Sequence, residues 1–256
     1  MPPTMLTDQH WQKLKGILRN LSIHLNSNLR NFIEAILYRI RTGCPWRDKP
    51  TCFGQPNSIF KRFSHWSSSG KLLTIFKLLS LNTDIEWLFI DGSHIRAHQH
   101  SAGIADQAIS KSVLGNSSKI HLGVDSNGNL IDFIITDGTT YDVKVAPNLI
   151  SKLDLNEVEV VCADKGYDSE PLREQIRATG TKANIPKKSN SQSNNDHMDW
   201  YLYKIRHLVE NMFCRLKQFR GIATRYNKLK RNYESSVALA WSLYISLYIF
   251  MAPLVG

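Results

Sequence analysis

The hydrophobic period of the chain changes once, near residue 85, and this change limits the folds open to it. Before it, apolar residues recur at the three- and four-residue spacing of amphipathic helices, as in "NSNLRNFIEAILYRIRTG". After it come short β-rich runs: "EWLFIDGSHI", "SKIHLGVDS", "NLIDFIITDG" and "EVEVVCAD". The sequence therefore predicts a helical domain over residues 1–84 and an α/β domain over residues 85–256.

The order of elements in the second part predicts a mixed sheet flanked by helices. Asn127-Gly128 separates the second and third β-rich runs and predicts a hairpin. "VKVAPNLISKL" and "SEPLREQIRATG" predict helices after the third and fourth strands, and "KANIP" predicts a fifth strand. The polar residues 187–199 predict a flexible loop.

The first part predicts short helices with a basic surface. Thr7 is expected to cap the first helix, and Gly43 to end the second. Basic residues concentrate around the Pro/Gly-rich turn that follows: Arg39, Arg41, Arg47, Lys61 and Arg62. This pattern favours a helix-turn-helix-like DNA-binding domain, with an ordinary basic helical bundle as the alternative.

Charge is distributed unevenly along the chain. Residues 1–84 carry 12 Lys and Arg against 4 Asp and Glu, residues 85–170 carry 6 against 13, and residues 171–256 carry 14 against 5. An acidic middle between two basic flanks indicates a cation site within a surface that binds a polyanion. Chance segregation of solvated charges is the alternative.

Two features bear on where the protein works. The four cysteines form no CxxC pair, and the N-terminus lacks the pattern of a secretion signal, so free thiols and a cytoplasmic protein are expected. Residues 237–254, "VALAWSLYISLYIFMAPL", approach the length of a membrane span. They are interpreted as a buried C-terminal helix, because nothing else in the chain resembles a membrane segment.

A single acid, Glu210, lies among cations in "YLYKIRHLVENMFCRLKQF", residues 201–219. On a continuous helix, Tyr203, Arg206, Glu210 and Lys217 fall within about 60° of one another. Apolar residues cover the opposite side, so the segment predicts a helix packed on the core with one polar stripe. The stripe is either a solvated row of local ion pairs or a metal-binding carboxylate flanked by phosphate-binding cations.

Two aspartates end predicted strands: Asp91 after "WLFI" and Asp164 after "VEVVCA". If these strands are neighbours and the 203–219 helix packs across them, Asp91, Asp164 and Glu210 converge. Three carboxylates suit Mg²⁺ or Mn²⁺, and two such ions can catalyse phosphodiester chemistry. A turn-forming role is the alternative for either aspartate. Turn chemistry also explains the acids Asp125, Asp132, Asp137 and Asp142, one of which could be an auxiliary ligand.

These motifs resemble a known family. The spacing Y-x2-R-x3-E-x6-K, with the blocks "DGSHIRAHQHSAG", "ADKGYDSEPLR" and "RGIATRYNKL", is similar to the DDE transposases of bacterial insertion sequences of the IS-five family. The N-terminal "CPWRDKPTCFGQPNSIFKRFSHWSSSG" resembles the leading domain of that family. In place of a Gly/Arg-rich stretch, residues 109–121 have only Lys111 and Lys119 as cations.

The resemblance implies an RNase H-like catalytic domain, a pair of Mg²⁺ or Mn²⁺ ions, and DNA as the substrate. By this similarity, Asp91, Asp164 and Glu210 are the catalytic metal ligands. The DNA-contacting residues expected from the resemblance and from the basic segments are Tyr203, Arg206, Lys217, Lys61, Arg62, Lys165, Arg220 and Arg225.

The predicted function is that of a transposase. It would bind terminal inverted repeats and target DNA as a homodimer in the cytoplasm, at the nucleoid, cutting element ends and joining them to the target. Two alternatives stay open: a metal-dependent nuclease that does not join DNA, and a catalytically silent DNA-binding repressor.

Overall fold

The change of hydrophobic period coincides with a change from helices to strands. The protein is represented by a computed structural model that describes residues 5–80, 85–112, 115–189, 191 and 194–248, without the side chains of residues 243–248. Four helices precede the change: α1 (Asp8–Asn20), α2 (Leu29–Thr42), α3 (Pro56–Ser68) and α4 (Lys71–Leu79). Thr7 caps α1 by accepting a hydrogen bond from the His10 N–H, and Gly43 ends α2 at a φ of 71°, as predicted.

The strands follow, interleaved with helices. The strands are β1 (Trp87–Ala97), β2 (Ser110–Ser112), β3 (Gly115–Val124), β4 (Leu130–Asp137), β5 (Val160–Ala163), β6 (Lys182–Asn184) and β7 (Thr224–Arg225). The helices are α5 (Asp142–Ile150), α6 (Glu170–Arg177), α7 (Trp200–Ile205), α8 (His207–Lys217), α9 (Arg220–Ala223) and α10 (Lys230–Tyr248). The predicted loop over residues 187–199 contains no helix or strand among its described residues; residues 190, 192 and 193 lie outside them.

The sheet is mixed, as the order of elements predicted. Its strands run β2-β3-β1-β5-β6, and β4 also pairs with β3. β3 is antiparallel to both β1 and β4, whereas β5 and β6 run parallel to β1. The predicted hairpin joins β3 to β4, with Gly128 at a φ of 76°. Only glycine adopts that φ at little cost.

Each face of the sheet follows from the alternation of side chains along its strands. On one face, Leu88 and Ile90 pack with apolar residues of α5 and α6, including Leu149 and Ile176. Asp91 is adjacent to Ile90 and therefore points to the other face. This second face is where α7 and α8 contribute the residues of the candidate site.

The chain forms two compact units. One contains residues 82–97 and 105–215, and the other contains residues 1–81, 98–104 and 216–256. In the unit that contains residues 1–81, α10 packs against α2, α3 and α4, although α10 lies at the opposite end of the sequence. The domain boundary at residue 84 stays a prediction.

Residues 237–248 of the apolar C-terminal segment belong to α10. Residues 237–242 are buried, which agrees with the predicted core helix, and residues 249–254 lie outside the described residues. Among the described residues, no helix has the length and apolar character needed to span a membrane.

The predicted helix over residues 203–219 is divided into α7 and α8 at Arg206. The N–H of Arg206 bonds the carbonyl of Tyr203, and the N–H of Val209 bonds the carbonyl of Arg206. Both hydrogen bonds span three residues rather than four, which tightens the backbone at this point. The polar stripe is therefore not one straight row.

Candidate active site

Asp91 lies in the middle of the central strand β1, so the prediction that it ends its strand is wrong: pairing with β3 continues through Arg96. Its Oδ1 accepts a hydrogen bond of 2.7 Å from the N–H of Gly92, and its Oδ2 accepts one of 2.8 Å from Arg206 Nη1. The first bond holds the carboxylate against its own strand. The second joins it to the junction between α7 and α8, 115 residues later in the chain.

Asp164 lies beside Asp91 because their strands are parallel neighbours. In the register of β1 and β5, Ile90 pairs with Ala163, and each is followed by its aspartate. The predicted adjacency of the two strands is therefore confirmed. Asp164 caps a short 3₁₀ turn over residues 165–167, accepting a hydrogen bond of 2.7 Å from the Gly166 N–H.

Glu210 approaches the aspartates from α8. Its Oε1 accepts a hydrogen bond of 2.6 Å from Arg206 Nη2, while Arg206 Nη1 holds Asp91. One guanidinium thus bridges two of the three predicted acids. Burial opposes this cation, but the charges of Asp91 and Glu210 outweigh burial and raise the pKa of Arg206 above its usual value.

The surroundings of Asp91 disfavour its charge. Burial, and then the negative charges of Asp164 and Asp142, raise the pKa of Asp91 to about 6. The Gly92 N–H and Arg206 lower that pKa but do not outweigh burial. A half-buried carboxylate in such a place favours binding a further cation.

Replacing Asp91 with Asn should stabilise the metal-free protein at neutral pH. Between about pH 4 and pH 6 the folded Asp91 keeps a proton that the unfolded residue has lost, so stability falls as pH rises through this window. Two pKa units correspond to about 3 kcal/mol at most. We expect Asp91→Asn to raise the free energy of urea unfolding at pH 7.5 in EDTA by about 1–3 kcal/mol, and to have little effect near pH 4.

Asp137→Asn is a control variant for which we expect the opposite effect on stability. Burial would raise the pKa of Asp137, but hydrogen bonds from Thr139, Thr140 and Ser110 outweigh it and lower that pKa to about 2. Its charge therefore stabilises the fold above pH 4, and Asp137→Asn should be destabilising at pH 7.5. An Asp91→Asn protein less stable than wild type at pH 7.5 would contradict this account of Asp91.

The donor chemistry of the site suits a divalent metal. Three carboxylates offer the hard oxygen ligands that Mg²⁺ and Mn²⁺ prefer. A cation, the Arg206 guanidinium, already lies between Asp91 and Glu210. Among the residues that the structure describes, no three acidic, His or Cys side chains are grouped closely enough to hold a metal as they stand. Metal binding by all three acids therefore requires Glu210, whose side chain is 54% exposed, to turn away from Arg206.

The predicted DNA-contacting residues fall in different surroundings. Tyr203 is half-buried, with the Arg206 guanidinium 5.7 Å from its ring centre. Lys165, beside Asp164, is exposed, as are Lys61, Lys217 and Arg220. Arg62 lies 4.4 Å above the Phe32 ring, and burial lowers its pKa, so its guanidinium is partly occupied by packing.

The burial of Arg225 argues against the DNA contact predicted for it. Its side chain is fully buried and donates hydrogen bonds to the carbonyls of Asn227 and Lys228. Burial lowers the pKa of Arg225 to about 10. Arg225 is therefore a structural cation that satisfies backbone carbonyls within its own unit.

A polar cluster behind the site, in which Lys119 and His121 are buried, went unrecognised in the sequence. It contains Lys119, His121 and Asp142, and it lies against Gly92 on the opposite face of the sheet. Lys119 and His121 are two residues apart in a β-rich run, a spacing that puts both on one face. These two polar residues, on a face expected to be apolar, were the sequence signal that could have revealed the cluster.

The strand order defines the class of fold. A central strand carrying the first aspartate, an antiparallel hairpin on one side and two parallel strands on the other form an RNase H-like sheet. A solved structure of similar fold is the piggyBac transposase in a synaptic complex with hairpin DNA, at a TM-score of 0.51 and 11% identity. The likeness covers 94% of this chain and 72% of that one.

Sequence comparisons give the family. Residues 82–245 match the family "Transposase DDE domain", and residues 6–76 match "Putative transposase of IS4/5 family". A Brucella ovis protein, "Putative transposase for insertion sequence element IS6501", is 36% identical over 50% of this chain and 96% of its own length. The Sinorhizobium fredii protein y4sN is 34% identical over 38% of this chain and 81% of its own.

The chain belongs to the DDE transposases of insertion sequences. As a member of that family it is a transposase, an enzyme of DNA cleavage and strand transfer that depends on a divalent metal.

Proposed function

We propose that Asp91, Asp164 and Glu210 together hold the divalent metal, as a pair of Mg²⁺ or Mn²⁺ ions, at the ends of an insertion sequence. The substrate is the terminal inverted repeat of the element, which is cut and then joined to target DNA. The two related steps are both in-line phosphoryl transfers, so one site can serve each of them.

The observation that carries this proposal is that Arg206 bridges Asp91 and Glu210. Asp91 and Glu210 bind one guanidinium, and Asp164 follows the strand paired in parallel with β1. Residues 91, 164 and 210 are far apart in the sequence, yet β1 carries Asp91, its parallel neighbour β5 leads to Asp164, and Arg206 links Asp91 to Glu210 of α8. Such a gathering of like charge is unfavourable unless a cation is present.

Each group in the site has a distinct part in this proposal. Ions held by Asp91, Asp164 and Glu210 would supply activation of a hydroxyl nucleophile and stabilisation of the leaving oxygen. The N–H groups of Gly92 and Gly166 orient Asp91 and Asp164 through their hydrogen bonds. Arg206 neutralises Asp91 and Glu210 in the metal-free protein, and it would be available to a DNA phosphate if metal took its place at these carboxylates.

DNA is held by basic residues around the site and in the N-terminal helices. Tyr203 and Lys165 are near the acids and would contact the scissile end, while Lys61, Arg62, Lys217 and Arg220 supply further phosphate contacts. The helices α3 and α4, separated by Ser69 and Gly70, would read the repeat as a helix-turn-helix-like pair. Phosphate contacts make affinity fall steeply with salt.

The assembly follows from the reaction. Two element ends must be cut together, so we propose a homodimer on DNA. The solved piggyBac structure is a synaptic complex with hairpin DNA, which supports a paired arrangement of this kind. Because the substrate is chromosomal, the protein would act in the cytoplasm at the nucleoid.

The test uses the purified full chain and a labelled duplex holding the DNA that flanks its gene. Reactions in Mg²⁺, in Mn²⁺ and in EDTA are compared, with an unlabelled target plasmid present. The proposal expects a cut at a fixed position near the repeat, no cut in EDTA, and a joined product on the plasmid. Fixed cuts without joined product would indicate the nuclease, and repeat binding without any cut would indicate the repressor.

A further inference from the structure

Gly92 follows Asp91 directly and has no room for a side chain. A Cβ at this position would collide with the Asp142 carboxylate and come within 2.9 Å of Lys119 Cε and 3.2 Å of His121 Nδ1. Side chains alternate along a strand, so this crowding lies on the face opposite to the Asp91 carboxylate. The Asp142 carboxylate thus fills the space next to Gly92 on that face.

Asp142 is itself held firmly. Lys119 Nζ donates a hydrogen bond of 2.6 Å to Asp142 Oδ2, and His121 Nδ1 lies 3.2 Å from Asp142 Oδ1. His121 Nε2 is 2.8 Å from Thr136 Oγ1 on the next strand. Gly92 pairs with His121 across the β1–β3 ladder, which fixes the position of the cluster along β1. The side chains of Lys119 and His121, which hold Asp142, are 9% and 1% exposed, whereas that of Asp142 is 21% exposed.

The same carboxylate also reaches the loop that carries Asp164. Tyr167 ends the 3₁₀ turn that Asp164 caps, and it is fully buried. Its hydroxyl lies close to Asp142, without the geometry of a hydrogen bond. Burial and the charges of Asp142, Asp91 and Asp164 raise the pKa of Tyr167 well above its usual value. Asp142 thus occupies the space that a side chain at residue 92 would need, after one predicted metal-binding aspartate, and approaches the turn after the other.

We propose that Asp142, anchored by Lys119 and His121, is a positioning residue that sets the geometry of Asp91 and Asp164. The link to Asp91 is the Gly92 N–H, which donates the 2.7 Å hydrogen bond to Asp91 Oδ1. Moving Gly92 moves this donor and turns the carboxylate. Asp142 lies on the face of the sheet opposite to the Asp91 carboxylate, so its proposed effect is exerted through Gly92 and not as a metal ligand. This inference rests on the proposed function of the three acids.

Asp142→Asn tests the proposal, with Asp137→Asn as its matched control. The substitution keeps the size of the side chain and removes the charge that holds Lys119. Asp137 is the last residue of β4, before the same β4–α5 connection, and its carboxylate accepts hydrogen bonds from Ser110, Thr139 and Thr140. Calorimetry with Mn²⁺ alone measures the metal affinity of each folded protein. We expect about tenfold weaker Mn²⁺ binding for Asp142→Asn and no change for Asp137→Asn.

Two further readouts separate positioning from general damage. DNA binding in EDTA should be the same for Asp142→Asn and wild type. DNA cleavage should fall at low Mn²⁺ and recover in part at high Mn²⁺, a pattern that simple loss of stability does not produce. Wild-type Mn²⁺ affinity in a folded Asp142→Asn protein would overturn the proposal while leaving the proposed function intact. A wild-type protein that neither binds Mn²⁺ nor cuts DNA would overturn both.

A second pair of variants covers the case in which Asp142→Asn does not fold. Gly92→Ala should weaken Mn²⁺ binding, because its methyl group displaces the Asp142 carboxylate. Adding Asp142→Ser makes room for that methyl group, so the double variant should bind Mn²⁺ no more weakly than Asp142→Ser alone. Additive losses would show that Gly92 and Asp142 act independently, and would overturn the proposal.

Discussion

Glu210→Gln and Asp164→Asn should each slow DNA cleavage by about 10³-fold or more, which corresponds to about 4 kcal/mol of activation free energy. Each substitution replaces a charged oxygen ligand by a neutral amide, and metal ions supply several kcal/mol of transition-state stabilisation in phosphoryl transfer. Both side chains are partly or largely exposed, so the fold should tolerate the change. The measurement is the single-turnover cleavage rate of the labelled repeat at saturating Mg²⁺.

DNA binding by these variants should be retained or slightly tighter in EDTA, since a negative charge near the phosphates is lost. Glu174→Gln is the matched control, because Glu174 is an exposed glutamate of the same unit on α6, and it should cut at the wild-type rate. Loss of cleavage in Glu174→Gln as well, or full cleavage by Glu210→Gln, would be incompatible with the roles proposed for the acids.

Arg173→Met should cause the largest loss of stability. Arg173 is 1% exposed, and its Nη2 donates hydrogen bonds of 2.8 Å to Asp168 Oδ1 and 3.0 Å to the Ile185 carbonyl. The other oxygen of Asp168 accepts from the Lys188 N–H, so this cation joins the loop after β5 to the segment after β6. Removing it leaves Asp168 without its cation, a change that typically costs about 3–5 kcal/mol. Urea unfolding followed by circular dichroism measures the loss.

Arg177→Met provides the comparison one turn later on α6. The Arg177 side chain is 52% exposed and pairs with Glu170, so its removal should cost less than about 1 kcal/mol. Because Asp168 is four residues from Asp164, cleavage by Arg173→Met should fall at temperatures where the protein is still folded. Equal stabilities for Arg173→Met and Arg177→Met would refute the structural importance of the buried cation.

The sequence predicted the parts of this fold that depend on local pattern. Short β-rich runs predicted β1, β3, β4 and β5, and Asn127-Gly128 predicted the hairpin. The acids at the ends of apolar runs drew attention to Asp91 and Asp164. The adjacency of those two aspartates needed the further condition that β1 and β5 be neighbours. The sheet meets that condition.

Features that depend on distant contacts were not predictable in this way. A helical wheel assumes uniform rotation, so it could not show the break at Arg206, where the guanidinium reaches back to Asp91. A count of basic residues could not show that Arg225 is buried. The packing of α10 with the N-terminal helices likewise joins the two ends of the chain. Asp142 appeared to be one turn acid among several, because its partners Lys119 and Gly92 are 23 and 50 residues away.

The most direct test of the central claim is the anomalous scattering of Mn²⁺ in crystals of the protein. The account predicts anomalous density at Asp91 and Asp164, with Glu210 turned toward it and Arg206 no longer bonded to both carboxylates. Crystals of Glu210→Gln should show weaker density at the same place. Mn²⁺ bound elsewhere, or Arg206 still bridging Asp91 and Glu210 in a protein that cuts DNA, would contradict the claim that these three acids hold the metal.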